Sequence, residues 1–265
     1  MTTLITGVSG HLGSLILEHA LTRVPAGELV AATRHPERVG DLGVEVRAGD
    51  FAGDLSATFA GVDKLLLVSA DGPDERRIAM QRTAVRAAVD AGVRHVLYTS
   101  VTDADTSPLS LAAAHRATEE AIRETGVAFT FLRNGMYHEN YLNPGPVVTA
   151  AGDGRVASAS RDDLALAAAV ALTGAGYENT VHELTGPRAW SFDELAALRG
   201  TTHTRVTGAE RVAGLEGFGL PGFVAELLAD IEVNIGRGVL AEVRPDLEKL
   251  IGRPPTTIED AVRAL

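Results

Sequence analysis

The chain has no cysteine, which excludes disulfides, thiolate metal sites and thiol nucleophiles together. Lysine is almost as scarce, with only Lys64 and Lys249. Neither lies four residues after a tyrosine, so the Tyr-x-x-x-Lys pair, in which a lysine lowers a tyrosine pKa for proton transfer to a carbonyl, is absent. Basic residues number 24 against 35 acidic ones, a net charge of −11. Such a chain lacks the basic face that counterion release from nucleic acid requires, and no nucleic-acid partner is expected. No apolar run approaches the roughly 20 residues that cross a bilayer. No basic and apolar leader precedes Leu4, so the expectation is a cytoplasmic protein without membrane association.

What is present is a core. Hydrophobic residues make up 45% of 265 and charged residues 22%, enough for one large α/β domain or a nucleotide domain with a smaller appendage. The stretch that organises the rest is Leu4-Ile5-Thr6-Gly7-Val8-Ser9-Gly10-His11-Leu12-Gly13. It reads as a buried strand, a glycine-rich turn and the first turn of a helix, whose face carries Leu17, Ala20, Leu21 and Val24. Free N–H groups and the positive end of a helix dipole at such a turn form a pyrophosphate site. The spacing is G-x-x-G-x-x-G rather than G-x-G-x-x-G.

Further strands are expected at 28–33, 44–48, 64–68, 93–100, 129–133 and 181–184, with helices between them, including one from Asp54 to Ala60 and one over 74–91 closed by Gly92. Arg155 to Ser160 reads as a short extended piece. Strands alternating with helices give a parallel sheet with right-handed crossovers, and ligands then sit at the carboxyl ends of the strands. Thr6, Gly7, Ser9, Gly10, His11, Leu12 and Gly13, with Arg34, Asp50, Phe51, Ser69, Ala70 and Ser100, all fall at such ends. An acid after the second strand would favour NAD by binding the ribose hydroxyls; Arg34 stands there instead and favours the 2′-phosphate of NADPH. Asp50 fits either an adenine contact or a turn cap, and Phe51 an adenine cover. Ser191-x-x-Glu194 is a capping box. Beyond Gly208 the chain reads as helices and loops packed through Phe218, Phe223, Leu227, Leu228 and Ile231.

The glycine turn, Arg34, His115-x-x-Thr118-Glu119 and, above all, Leu132-Arg133-Asn134-Gly135-Met136-Tyr137-x-Glu139-Asn140-Tyr141 resemble the NmrA-like atypical short-chain dehydrogenases. The similarity is to their branch of NAD(P)H quinone oxidoreductases and triphenylmethane reductases. Arg161-Asp162-Asp163 and Gly252-Arg253-x-Pro255-Thr256-Thr257 fit it too, so it spans the chain. It implies an α/β Rossmann-type doubly wound parallel sheet with a small, mostly helical C-terminal substrate lobe. Residues 1–133, completed by about 155–185, would form the NADP-binding core, and 134–154 with 186–265 the lobe.

It also implies hydride transfer from NADPH to a quinone-like acceptor without flavin or metal. A quinone becomes a stabilised phenolate, so a missing Tyr–Lys pair is no obstacle. Asn134, Tyr137 and Tyr141 would line the acceptor pocket, although Tyr137 and Tyr141 fit packing roles equally well. His115, where many relatives carry lysine, would orient the nicotinamide ribose or share proton supply with Tyr137 and water. Alternatively, the same fold serves as an NADP(H) redox sensor with a protein partner. A homodimer is compatible with either reading.

Overall fold

The computed structural model describes all 265 residues. In chain order the elements are β1 (Thr3–Thr6), α1 (His11–Leu21), β2 (Leu29–Thr33), β3 (Glu45–Ala48), α2 (Ser56–Phe59), β4 (Lys64–Leu67), α3 (Asp74–Asp90), β5 (His95–Val101), α4 (Ala112–Glu124) and β6 (Ala128–Asn134). There follow β7 (Val147–Thr149), β8 (Arg155–Val156), α5 (Arg161–Thr173), β9 (Thr180–Leu184), β10 (Trp190–Ser191), α6 (Phe192–Leu198), β11 (His203–Arg205), α7 (Gly208–Gly217), α8 (Gly222–Gly236), α9 (Asp246–Ile251) and α10 (Ile258–Arg263).

The chain forms two compact units. The first comprises residues 1–101, 114–133 and 162–182; the second comprises 102–113, 134–161 and 183–265. The central sheet has seven strands in the order β3-β2-β1-β4-β5-β6-β9. β1 pairs in parallel with both β2 and β4, Ile5 lying between Ala31 and Leu66. The chain therefore winds outward in both directions from β1, and the switch point lies beside the glycine turn. β1, β2, β4 and β5 are buried throughout, as strands covered on both faces must be. One face carries Leu4, Leu65, Leu67, Val96 and Tyr98, covered by Phe59, Ala84, Val85, Ala88 and Ile122 from α2, α3 and α4. α1 buries Leu12, Ile16, Leu17 and Ala20 at helical spacing. β3 has no fully buried residue, and a Glu45–Arg47 ion pair at 2.7 Å guards it.

Local chemistry explains most element ends. Gly92, at φ +88°, closes α3, with the Val93 N–H reaching Ala88 O at 3.0 Å. Asp54 accepts from the Ser56 N–H at 2.9 Å, one turn position ahead of the cap of α2. The Ser191–Glu194 capping box is complete at α6.

In the second unit, two small sheets accompany five helices. β7 pairs in parallel with β11, and β8 antiparallel with β10. These strands are only two or three residues long, too short to show periodicity. The extended piece expected over 155–160 is a strand only at Arg155–Val156, followed by one bridge from Ala159 to Tyr137. The expected packing roles of Phe218 and Phe223 do not hold, for the two are 85% and 52% exposed. Phe218 follows the last residue of α7 and Phe223 lies in the first turn of α8, off the buried stripe of α8, which runs through Ala225, Ala229, Glu232 and Ile235. Leu227, Leu228 and Ile231 are half-buried.

Candidate functional site

The turn from β1 into α1 is built by two glycines. Gly7 has φ +69°, a left-handed conformation that side chains resist. Gly13 lies against the turn itself: a Cβ there would stand 2.6 Å from the Gly7 carbonyl carbon and closer still to its oxygen. Substituting alanine at Gly13 is therefore expected to push α1 off β1, at a cost of about 1–3 kcal/mol. It would also weaken dinucleotide binding. Thermal unfolding and a ligand titration check both effects, and an unchanged melting temperature would refute the packing argument.

Gly10 is the N-cap of α1 and brings no side-chain cap. The N–H groups of His11, Leu12 and Gly13 therefore end the helix without partners. Ser9, exposed, accepts from Thr33 Oγ1 at 3.0 Å, which ties the turn to the end of β2. The Gly49 N–H binds Thr33 O at 2.9 Å and brings in the end of β3. The Val68 side chain lies against Gly7, and the Ser69 N–H binds Thr99 Oγ1 at 2.9 Å, joining β4 to β5. The strand ends at Ser9, Arg34, Asp50 and Ser69 thus form one continuous rim.

The side chains on this rim differ in availability. Arg34 is exposed and makes no hydrogen bond or ion pair, whereas neighbouring Arg38 lies 3.8 Å from Glu37. Asp50 uses Oδ1 to cap the Ala52 N–H at 3.1 Å and keeps Oδ2 unengaged. Phe51 packs on the core from its margin. Thr6 is buried; its hydroxyl donates to Leu66 O and accepts from the Val68 N–H. Ser69 and Ala70 are half-buried. Ser100 is buried and donates to Glu119 Oε1 at 2.6 Å. Glu119, 1% exposed, also accepts from Arg133 Nε at 2.9 Å and Nη2 at 2.7 Å, and from Arg123 at 3.2 Å. Glu119 and Arg133, prominent in the sequence motifs, are thereby joined in a buried ion network.

His115 is buried, with both ring nitrogens engaged. Arg77 Nη2, which can only donate, lies 3.2 Å from Nε2, so Nε2 accepts. The ring proton is then on Nδ1, which donates to Tyr98 Oη at 2.9 Å. Burial and the Arg77 charge push the pKa of His115 down to about 3. The ring is neutral and its one proton is committed, so the expected proton-supplying role does not fit this geometry.

In the second unit, Asn134 is 5% exposed, and its carboxamide makes no hydrogen bond, leaving Oδ1 buried and unpaired. Tyr137 is half-buried, with the Arg161 guanidinium 5.0 Å from its ring centre. Tyr141 packs edge-on against Trp190 at 5.2 Å and Phe192 at 5.5 Å, and burial raises its pKa. Glu139 of the same motif accepts from the Arg161 N–H at the start of α5. Neither lysine serves a tyrosine. Lys64 donates to the carbonyls of Leu172 and Gly174 at 2.9 and 3.0 Å, and Lys249 lies 3.7 Å from Asp246.

Residues 7–174 match a family model described as NAD(P)H-binding. The chain belongs to this NAD(P)H-binding family. It is 40% identical to "Quinone oxidoreductase 2" of Escherichia coli, over 98% of this chain and 97% of that protein. An NmrA-like domain-containing oxidoreductase of Aspergillus flavus is 31% identical over 100% of this chain and 95% of its own length. Among solved structures, the Citrobacter sp. triphenylmethane reductase complexed with NADP(H) superposes with a TM-score of 0.95 at 37% identity, covering 100% of this chain and 99% of that one. The chain is thus an NmrA-like member of the atypical short-chain dehydrogenases, with their Rossmann-like fold.

Several functional-looking contacts escaped the sequence reading. Thr99, Gln81 and Arg77 carry no motif signal, because a lone buried Thr, Gln or Arg on an amphipathic element is indistinguishable from a surface residue until its partners are known.

Proposed function

We propose that this chain is an NADPH-dependent reductase that passes hydride directly to a quinone or a similarly conjugated acceptor. The observation that carries this reading is the unpartnered Arg34 at the end of β2, with no acid beside it, facing the same rim as the uncapped start of α1. The 40% identity to a quinone oxidoreductase supports the acceptor class. No helix is long and apolar enough to cross a membrane. The likeness to the Escherichia coli protein supports a cytoplasmic location.

His11, Leu12 and Gly13 offer N–H groups to the pyrophosphate, aided by the α1 dipole. Arg34 takes the 2′-phosphate. Asp50 Oδ2 and Phe51 serve the adenine, and Ser69 and Ala70 border the ribose and nicotinamide. NADPH, when bound, supplies hydride from its nicotinamide ring. Asn134 offers its unpaired carboxamide to the acceptor, and Tyr137 or water returns a proton to the stabilised oxyanion. His115 holds its surroundings in place. Catalysis is then mainly proximity and orientation.

Removing the Arg34 guanidinium by an alanine substitution is expected to weaken NADPH binding about 10- to 100-fold, the usual span for charge-assisted hydrogen bonds of about 1.5–3 kcal/mol. NADH binding should change little. Turnover of a quinone panel with each cofactor tests the whole reading. Consumption of NADPH in preference to NADH supports it. Tight NADP(H) binding without turnover on any acceptor would leave a redox sensor in its place.

A further inference from the structure

Beyond β4, three successive backbone N–H groups are each held by a side chain from a different element. Val68 N–H binds Thr6 Oγ1 at 2.9 Å, Ser69 N–H binds Thr99 Oγ1 at 2.9 Å, and Ala70 N–H binds Gln81 Oε1 at 3.2 Å. The planar trans peptide sets each carbonyl opposite the N–H that follows it. The carbonyl oxygens of Val68 and Ser69 therefore point away from Thr99 and Gln81. Neither accepts a hydrogen bond from the protein. Two successive free acceptors stand beyond the end of β4, where the Val68 side chain lies against Gly7.

Gln81 is the last of these supports and is fully buried. Its orientation is fixed by a one-way chain of donors. Arg77 donates to His115, His115 to Tyr98, and Tyr98 to Gln81 Oε1 at 3.2 Å. Gln81 Nε2 donates to Thr118 Oγ1 at 2.9 Å, and Thr118 donates to Ala114 O at 2.8 Å. A flipped carboxamide would set its own N–H groups against two donors, the Tyr98 hydroxyl and the Ala70 N–H. Only one orientation satisfies every partner.

We propose that Gln81 is a positioning residue for the dinucleotide: by holding the Ser69–Ala70 peptide, it aims the Ser69 carbonyl oxygen at a ribose hydroxyl. The proposal rests on the reading of the strand ends as an NADPH site. His115 and Tyr98 act through Gln81, which gives a His–Tyr pair a function with no proton transfer in it.

The test is the NADPH dissociation constant of the full-length protein, measured by calorimetry. Gln81→Met keeps length and volume but removes both polar atoms. NADPH should bind about tenfold more weakly, the loss expected for one well-made hydrogen bond. Hydrogen exchange across 68–72 should also speed up. Gln81→Glu restores an acceptor for Ala70 and Tyr98 and should reverse both changes. A Gln81→Met protein that melts earlier yet binds NADPH with the wild-type constant would make Gln81 a packing residue and overturn the proposal. Should Gln81→Met not fold, Thr118→Val releases the other end of the carboxamide. Its affinity should fall several-fold, and an unchanged value overturns the proposal equally. Failure of the underlying reading looks different, because the wild-type protein itself would then not bind NADPH.

Discussion

Truncating Glu119 to alanine is expected to destabilise the protein by about 3–5 kcal/mol, the usual cost of removing one partner from a buried ion pair. Its carboxylate serves Ser100, Arg123 and both nitrogens of the Arg133 fork, and Arg133 is only 5% exposed. The fork is bidentate, the strongest geometry for such a pair. Without Glu119 the Arg133 guanidinium loses the carboxylate that justified its burial, and the Ser100 hydroxyl loses its acceptor. Glu119→Gln keeps the shape but not the charge and should fall between. Urea unfolding followed by circular dichroism measures both variants. Replacing both partners, as Glu119→Leu with Arg133→Met, should cost less than Glu119→Ala alone, since no unbalanced charge is then left inside. A single-variant loss below about 1 kcal/mol, the range of exposed pairs, would mean that the charges are solvated after all.

Acid should destabilise this protein well before its carboxylates titrate. His95 is 5% exposed and His115 7% exposed. Burial, helped by Lys64, pushes His95 down to about 4; burial, helped by Arg77, pushes His115 down to about 3. In the unfolded chain both would titrate near 6.5. Between the folded and unfolded values the unfolded state binds more protons, so stability rises with pH and is lost as pH falls below about 6.5. Each group contributes about 1.4 kcal/mol per pH unit within its window. From pH 6.5 to 5 the pair should therefore remove about 4 kcal/mol. The slope from each histidine levels off below its folded pKa. Unfolding free energies at pH 7.5 and 5 measure the effect. His95→Gln and His115→Gln should each remove about half of the pH dependence, and a dependence unaltered in both would refute the assignment.

The fold was legible because its signals are local and repeated. Residues 65–68 are a continuous apolar run and 96–98 a shorter one, and glycines such as Gly92 and Gly126 follow the helices between the strands. The rim was legible for a related reason. In a doubly wound sheet, every strand ends on the same side, so Gly7, Arg34, Asp50 and Ser69 could be gathered without knowing a single contact. The segment from Leu132 to Tyr141 was recognisable by resemblance, but the partners of its side chains were not. Glu139 turned out to cap α5, Tyr141 to pack against Trp190 and Phe192, and Arg133 to pair with Glu119. Each of those partners lies at least 14 residues away in the chain, beyond any local pattern.

The sequence by itself determined the class of the protein and which residues stand at the strand ends, Arg34 among them, because periodicity, glycine spacing and the residue after a strand are properties of short segments. Tertiary structure alone decided which polar groups are free and which are spent. From the sequence, His115 fits either an orienting role at the nicotinamide ribose or a share in proton supply, yet Arg77 and Tyr98, 38 and 17 residues away, occupy both its nitrogens. Phe218 and Phe223 fit packing roles in the sequence, yet the end of α7 and the first turn of α8 carry them into solvent. Hydrogen-bond capacity and burial are settled by neighbours distant in the chain, and no window of sequence contains them.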